Sequence, residues 1–114
     1  MSSVAAIFPT LMAELLSGLR QSGREDLADQ LKVARVAGAT FDDESNAGWV
    51  HLEPARELNV VELNIVGRKY ETSVSVPCET HSVLDLDNFG RVIAIEILVP
   101  TEEVKDELRR CVAA

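Results

Sequence analysis

Aromatic side chains are scarce in this chain: one Trp, one Tyr and three Phe among 114 residues. Any core must therefore be aliphatic, drawn from 13 Leu, 14 Val and 5 Ile. That stock excludes intrinsic disorder. It suits one domain, in which a chain of this length buries about two-thirds of its surface. No apolar run approaches the ~20 residues that a membrane span needs, so no membrane partner is expected. Cysteine is limited to Cys78 and Cys111. No basic residue precedes the first apolar stretch, which Pro9 and Glu14 interrupt, so nothing there reads as a secretory signal. The expectation is two free thiols in a reducing cytoplasm. Positive charge is also short, with 11 Lys and Arg against 19 Asp and Glu for a net charge of −8. Residues 1–40 are neutral, while residues 41–100 carry eleven acidic groups and four basic ones. Such a middle block repels phosphate, which argues against nucleic acid and would suit a small basic protein partner.

Familiar chemical motifs are missing too. There is no Gly-rich phosphate loop, no G-x-S-x-G and no H-E-x-x-H. The sequence gives no cofactor, no catalytic set and no metal set. Cys78-x-x-His81 supplies two of the three or four ligands that zinc requires, and its residues read as a turn between strands. Asp85, Asp87, Gly90 and Glu96 stand at positions 1, 3, 6 and 12 of a calcium loop, but Phe89 offers no oxygen at position 5. If the chain beyond Gly90 is extended, Glu96 lies about 20 Å further along it and is not expected to return to Asp85. No pair of carboxylates is spaced to share an apolar wall, so no perturbed pKa is expected.

What is present is periodicity. Apolar residues from Val4 to Leu19 recur at three- and four-residue steps, predicting a helix whose secure part runs from Pro9 to Gln21. Ser22 and Glu25 fit a capping box for a second helix from about Gly23 to Leu31 or beyond, with a strand from about Ala34. The period then changes to two. Strands are predicted over residues 49–53, 61–65, 70–76, 83–87 and 91–99, and Gly67-Arg68-Lys69 reads as a tight turn. Asp42 to Asn46 reads as a turn held by its own side chains. Asp85, Asp87 and Gly90 read as structural residues of a hairpin, with Gly90 at positive φ. Ile93, Ile95, Ile97 and Val99 share one face of the last strand. Val92, Ala94 and Leu98 make its other face apolar too, predicting a central strand covered on both sides. After Pro100, Thr101 caps a final helix with Val104, Leu108, Cys111 and Val112 inward. The fold predicted is α+β. It is a single domain over residues 1–114, with a helical extension at 1–33, a β-rich core at 34–99 holding an antiparallel sheet of about five or six strands, and a C-terminal helix at 101–112.

Two segments carry a resemblance. Residues 41–52, from Phe41-Asp42-Asp43-Glu44 to Trp49-Val50-His51-Leu52, are similar to an aromatic–Asp–x–Glu–x–Asp–x–x–aromatic–hydrophobic–x–Leu pattern, with Asn46 for the usual Asp and Gly48 for a usual Leu. Residues 83–98, including Leu84-Asp85-Leu86-Asp87 and Ile95-Glu96-Ile97-Leu98, are similar to a Leu–Asp–x–Asp–x–x–Gly pattern running into an Ile–Glu–Ile–Leu strand. Over roughly residues 36–99 the chain resembles the family called domain of unknown function 2283, small bacterial and phage proteins. The resemblance implies a fold without an established activity, and an antitoxin-like role beside a small toxin-like protein.

The function expected from the sequence is a non-enzymatic, protein-binding or structural module acting as a homodimer. The first helix has more bulky residues (Leu11, Met12, Leu15, Leu16 and Leu19) than one sheet face needs, which points to a dimer contact there. The alternatives are an antitoxin-like module that neutralises a small basic partner, and an enzyme or ligand-binding protein. In the last case a pocket between helix and sheet would lie around Trp49, His51 and Glu53.

Overall fold

The computed structural model describes residues 2–64 and 70–113; for Tyr70 and Glu71 it describes the backbone alone. The elements run α1 (Val4–Ile7), α2 (Pro9–Gln21), α3 (Glu25–Val33), β1 (Arg35–Asp42), β2 (Ala47–Glu53), α4 (Val60–Leu63), β3 (Tyr70–Val76), β4 (Ser82–Asp87), β5 (Val92–Ile97) and α5 (Glu102–Ala113). The five strands form one antiparallel sheet in the order β1-β2-β5-β4-β3. This is the α+β fold that the periodicities predict. Among the described residues no helix is long and apolar enough to cross a membrane.

The start of α2 matches its prediction because Pro9 occupies the first helical position, where no N–H is needed. Its end is a Schellman turn. Gly23, at φ +71°, donates to Arg20 O at 3.1 Å, and Arg24 donates to Leu19 O at 2.8 Å. That turn overrides the expected capping box. The Ser22 hydroxyl donates back to Gly18 O at 2.8 Å, and α3 begins at Glu25 with no side-chain cap.

Residues 61–65 are the clearest correction. The predicted strand is instead the short helix α4, which Asn59 and Glu62 hold in a reciprocal capping box. Val60, Val61 and Leu63 are exposed there, so the alternation of Val61 and Leu63 with Glu62 reflects no buried face. Ile65 and the Gly67-Arg68-Lys69 turn lie outside the described residues.

One aliphatic core lies between the helices and one face of the sheet. Phe8, Leu11, Leu15, Leu19, Leu27, Leu31 and Leu108 meet Val50, Leu84, Ile95 and Ile97 there. Burying a side chain of this kind contributes about 1.5–3 kcal/mol. Gly48 allows α5 close to the sheet, since a Cβ at this position would lie 2.5 Å from Leu108 Cδ1. Arg109 stacks over the Phe41 ring at 5.4 Å and pairs with Asp43 at 3.7 Å. The inward stripe of α5 is Val104, Glu107 and Leu108, whereas Cys111 is only partly covered and Val112 is exposed. Of the expected stripe, Cys111 still packs against the core and only Val112 faces out.

Two expectations about faces also change. Leu11, Met12, Leu15 and Leu19 are buried in the chain's own core and Leu16 packs half-buried against it. The apolar surplus that pointed to a dimer contact on this helix is taken up within one chain. The sheet register shifts between Asp85 and Leu86, so that Asp85 lies opposite Ala94 and Leu86 opposite Val92. Ile93 is the extra residue. The bulge turns Val92, Ile95 and Ile97 to the helices and leaves Ile93, Ala94 and Glu96 on the opposite face. β5 is central; its Val92, Ile95 and Ile97 side packs on the core helices, and on the other side Ala94 is also buried while Ile93 and Glu96 are half-buried.

Candidate functional site

The face of the sheet opposite the helical core holds a concavity. Strand register places its residues in rows. His51 lies opposite Ala94, which lies opposite Asp85, which lies opposite Ser73. In the neighbouring row Trp49 lies opposite Glu96, which lies opposite Val83. Ala94 is the short side chain at the centre, and larger ones stand around it. The result is a hollow of about 320 Å³ lined by Trp49, His51, Asp85, Ile93, Ala94 and Glu96.

Trp49 and His51, two apart on β2, stack with centroids 6.0 Å apart and planes at 21°. They form one wall, and the indole stays 39% exposed. Asp85 and Glu96 form the other. Asp85 is 2% exposed, lines the hollow together with Glu96 and accepts from Ser73 Oγ at 3.4 Å. Burial, followed by the hydrogen bond and charge of Glu96, pushes the Asp85 carboxyl up to about 7. Near neutral pH Asp85 is thus only partly ionised. None of the lining residues is Lys or Arg.

The structure brings Trp49 and His51 of the expected ligand face to this hollow but not Glu53, which pairs in register with Arg35 near the end of β2. The hollow also opens on the helix-free face rather than between helix and sheet. Asp85 and Glu96 were missed. The expectation that an extended strand carries Glu96 away from Asp85 overlooks the hairpin, whose return leg brings Glu96 back beside it. The same correction applies to the paired carboxylates and the perturbed pKa, both of which are present.

The hairpin itself forms as expected. Gly90 has φ +75° and its N–H donates to Asp87 O at 3.1 Å. Asp87 faces away from the hollow's chemistry. Its Oδ1 accepts from the N–H groups of Phe89 and Arg91, each at 2.9 Å, and its Oδ2 from Arg91 Nε at 2.8 Å. Burial alone would raise this carboxyl, but hydrogen bonds from Arg91 and Phe89 outweigh it and hold Asp87 below its ordinary range. Asp87 is thus a turn residue, whereas Asp85 lines the hollow.

Cys78 and His81 lie in the turn between β3 and β4 and face different hollows. Cys78 Sγ contacts Thr80 Oγ1 at 3.1 Å, while His81, at φ +47°, lies toward Leu98. Both cysteines are free thiols. Among the described residues no three His, Cys, Asp or Glu side chains are grouped to hold a metal ion. Comparison of the chain with protein-family models, with curated proteins and with solved structures finds no match.

Proposed function

We propose that this chain is a non-enzymatic protein-binding module that works in the cytoplasm and receives a small basic protein on the open face of its sheet. The observation that carries this reading is the one-sided helix layer. On the other side it leaves a hollow whose lining includes the part-exposed Trp49, His51 and the carboxylates of Asp85 and Glu96. Exposed tryptophan beside a concavity is characteristic of interface anchors. The net charge of −8 favours a basic occupant and disfavours nucleic acid and anionic membrane. It also disfavours a second copy of the chain on this face, where a two-fold contact would set one acid pair against another. The antitoxin-like role implied by the resemblance to domain of unknown function 2283 agrees with this reading.

The paired carboxylates invite a second reading, an acid–base enzyme or a ligand-binding protein. Carboxylates that act on opposite sides of a scissile bond stand at least about 5 Å apart. Here Asp85 and Glu96 stand on neighbouring strands and line the same hollow. Adjacent carboxylates of this kind can also do acid–base work, so this reading predicts turnover of a small molecule that Asp85→Asn abolishes, whereas the module reading predicts none.

The test is photo-crosslinking inside the cell of origin, with a benzophenone amino acid at position 49 and, as a control, at the exposed Val33. A discrete adduct with one basic protein at 49 and not at 33 supports the proposal. An adduct of the chain with itself would restore the homodimer, and absence of any protein adduct would sink the module reading.

A further inference from the structure

We propose that the hollow over Ala94 is an arginine pocket, in which a guanidinium presented by the basic partner lies between the Trp49 ring and the Asp85–Glu96 carboxylates. The assignment rests on the protein-binding reading for the source of the arginine, but the chemistry of the pocket stands on its own geometry.

Size comes first. A hollow of about 320 Å³ is at the small end of ligand sites. An α-helix, about 10–12 Å across with its side chains, does not fit such a space. One long side chain does.

Charge comes second. Two carboxylates on neighbouring strands meet over an apolar floor of Ala94 and Ile93, with no Lys or Arg among the lining side chains. In the free chain a retained proton on Asp85 relieves their repulsion. A cation relieves it better, because it neutralises the pair while filling the hollow with apolar stem.

Shape comes third. Trp49 and His51 put aromatic surface on the lining of the same hollow as the carboxylates, and the Trp49 ring keeps part of its surface open. A planar cation can lie on an indole and fork its N–H donors onto carboxylate oxygens at the same time, which a lysine ammonium does less well. Occupation by a guanidinium favours ionised Asp85, so the proton that Asp85 retains leaves for solvent as the ligand arrives. The groups facing Asp85 are Glu96 from β5, Ser73 from β3 and His51 from β2. Affinity should therefore rise as pH rises through about 7.

The experiment titrates the full chain with capped arginine (N-acetyl-arginine amide), reading the emission of the sole tryptophan and, by calorimetry, the protons released. Capped lysine and capped citrulline, the uncharged isostere of arginine, run in parallel. The expected result is saturable binding of capped arginine, at least fivefold tighter at pH 8 than at pH 6, with proton release near pH 7. It should exceed the binding of capped lysine and far exceed that of capped citrulline. Asp85→Asn and Glu96→Gln should each weaken it at least tenfold. Citrulline binding as well as arginine overturns the pocket without recourse to any variant, and so does undiminished affinity in the folded Asp85→Asn protein. Lysine binding as tightly as arginine overturns the choice of guanidinium. An arginine-rich peptide that binds no tighter than capped arginine counts against the protein partner and leaves the pocket standing. A crosslinked basic protein indifferent to Asp85→Asn does the reverse.

Discussion

Glu107 Oε2 accepts a hydrogen bond from the backbone N–H of Thr10 at 2.9 Å, across 97 residues of sequence. Its Oε1 accepts from Leu11 N–H at 3.2 Å. Phe8, which precedes α2, has no side-chain oxygen with which to cap it. A carboxylate on α5 does so instead, placing negative charge at the positive end of α2. A missing cap costs about 0.5–2 kcal/mol and an unsatisfied buried donor about 1–3 kcal/mol. Glu107→Ala is therefore expected to lose about 2 kcal/mol in urea unfolding. Glu107→Gln should lose less, since it keeps one acceptor. A loss below about 0.5 kcal/mol in the alanine variant would show that the bond does not hold the two helices together.

Asp85 makes stability depend on pH with an identifiable sign. Its folded pKa of about 7 lies above the ordinary 3.8, so between those values the native state holds a proton that the unfolded chain has released. The stabilisation from this group is complete below about pH 4 and is lost as pH rises through 7. Asp85→Asn removes the dependence. Each pKa unit corresponds to about 1.4 kcal/mol. The variant is therefore expected to gain on wild type by about 1 kcal/mol or more between pH 4.5 and pH 8, read from parallel denaturation curves. A difference that stays constant over that range would contradict the raised carboxyl.

Gly18 and Gly38 should respond in opposite ways to the same substitution. A Cβ on Gly18 would stand 2.6 Å from Pro77 O, a backbone atom that cannot swing aside, whereas a Cβ on Gly38 meets nothing within 4 Å. Gly18→Ala is expected to cost about 1–3 kcal/mol by overpacking α2 against the end of β3. Gly38→Ala should stay within about 0.5 kcal/mol. Equal melting temperatures for the two variants would refute that packing.

Gly90→Val forces a β-branched residue into left-handed φ at the β4–β5 turn. The expected cost is about 1 kcal/mol or more. Because the Gly90 carbonyl accepts from Gln30 Nε2 at 2.9 Å, the strain should also reach α3. Amide exchange would show this as lowered protection in residues 25–33, and unchanged protection there would confine the effect to the turn.

Most of the architecture is legible from side-chain period alone. The 3.6-residue recurrence from Leu11 to Leu19, the Pro9 start and the two-residue alternation in β2, β3 and β4 all correspond to observed elements. Alternation misled at Val61, Glu62 and Leu63, where a local capping box outweighs a pattern with no buried partner. Half of the candidate site was legible, because Trp49 and His51 share a face of one strand. The other half was hidden by the bulge. With regular pairing from Asp87 opposite Arg91, Asp85 would share a face with Ile93 and Ile95; the extra residue moves it to the face of Ala94 and Glu96. A signal was available, since both Leu84 with Leu86 and Ile95 with Ile97 need the same core, and a regular hairpin cannot put all four there.

The strand order has a kinetic corollary. Among the described residues, β1–β2, β3–β4 and β4–β5 each join strands adjacent in the sequence, and only β2–β5 brings distant segments together. Distant pairings must overcome loop-closure entropy and close late. Trp49 and His51 stand on one side of that seam, with Asp85, Ile93, Ala94 and Glu96 on the other. Formation of the hollow is thereby tied to completion of folding: partially folded chains, however rich in local hairpins, do not assemble it. An occupant spanning the seam would act as a clasp, slowing escape from the native state more than it hastens arrival.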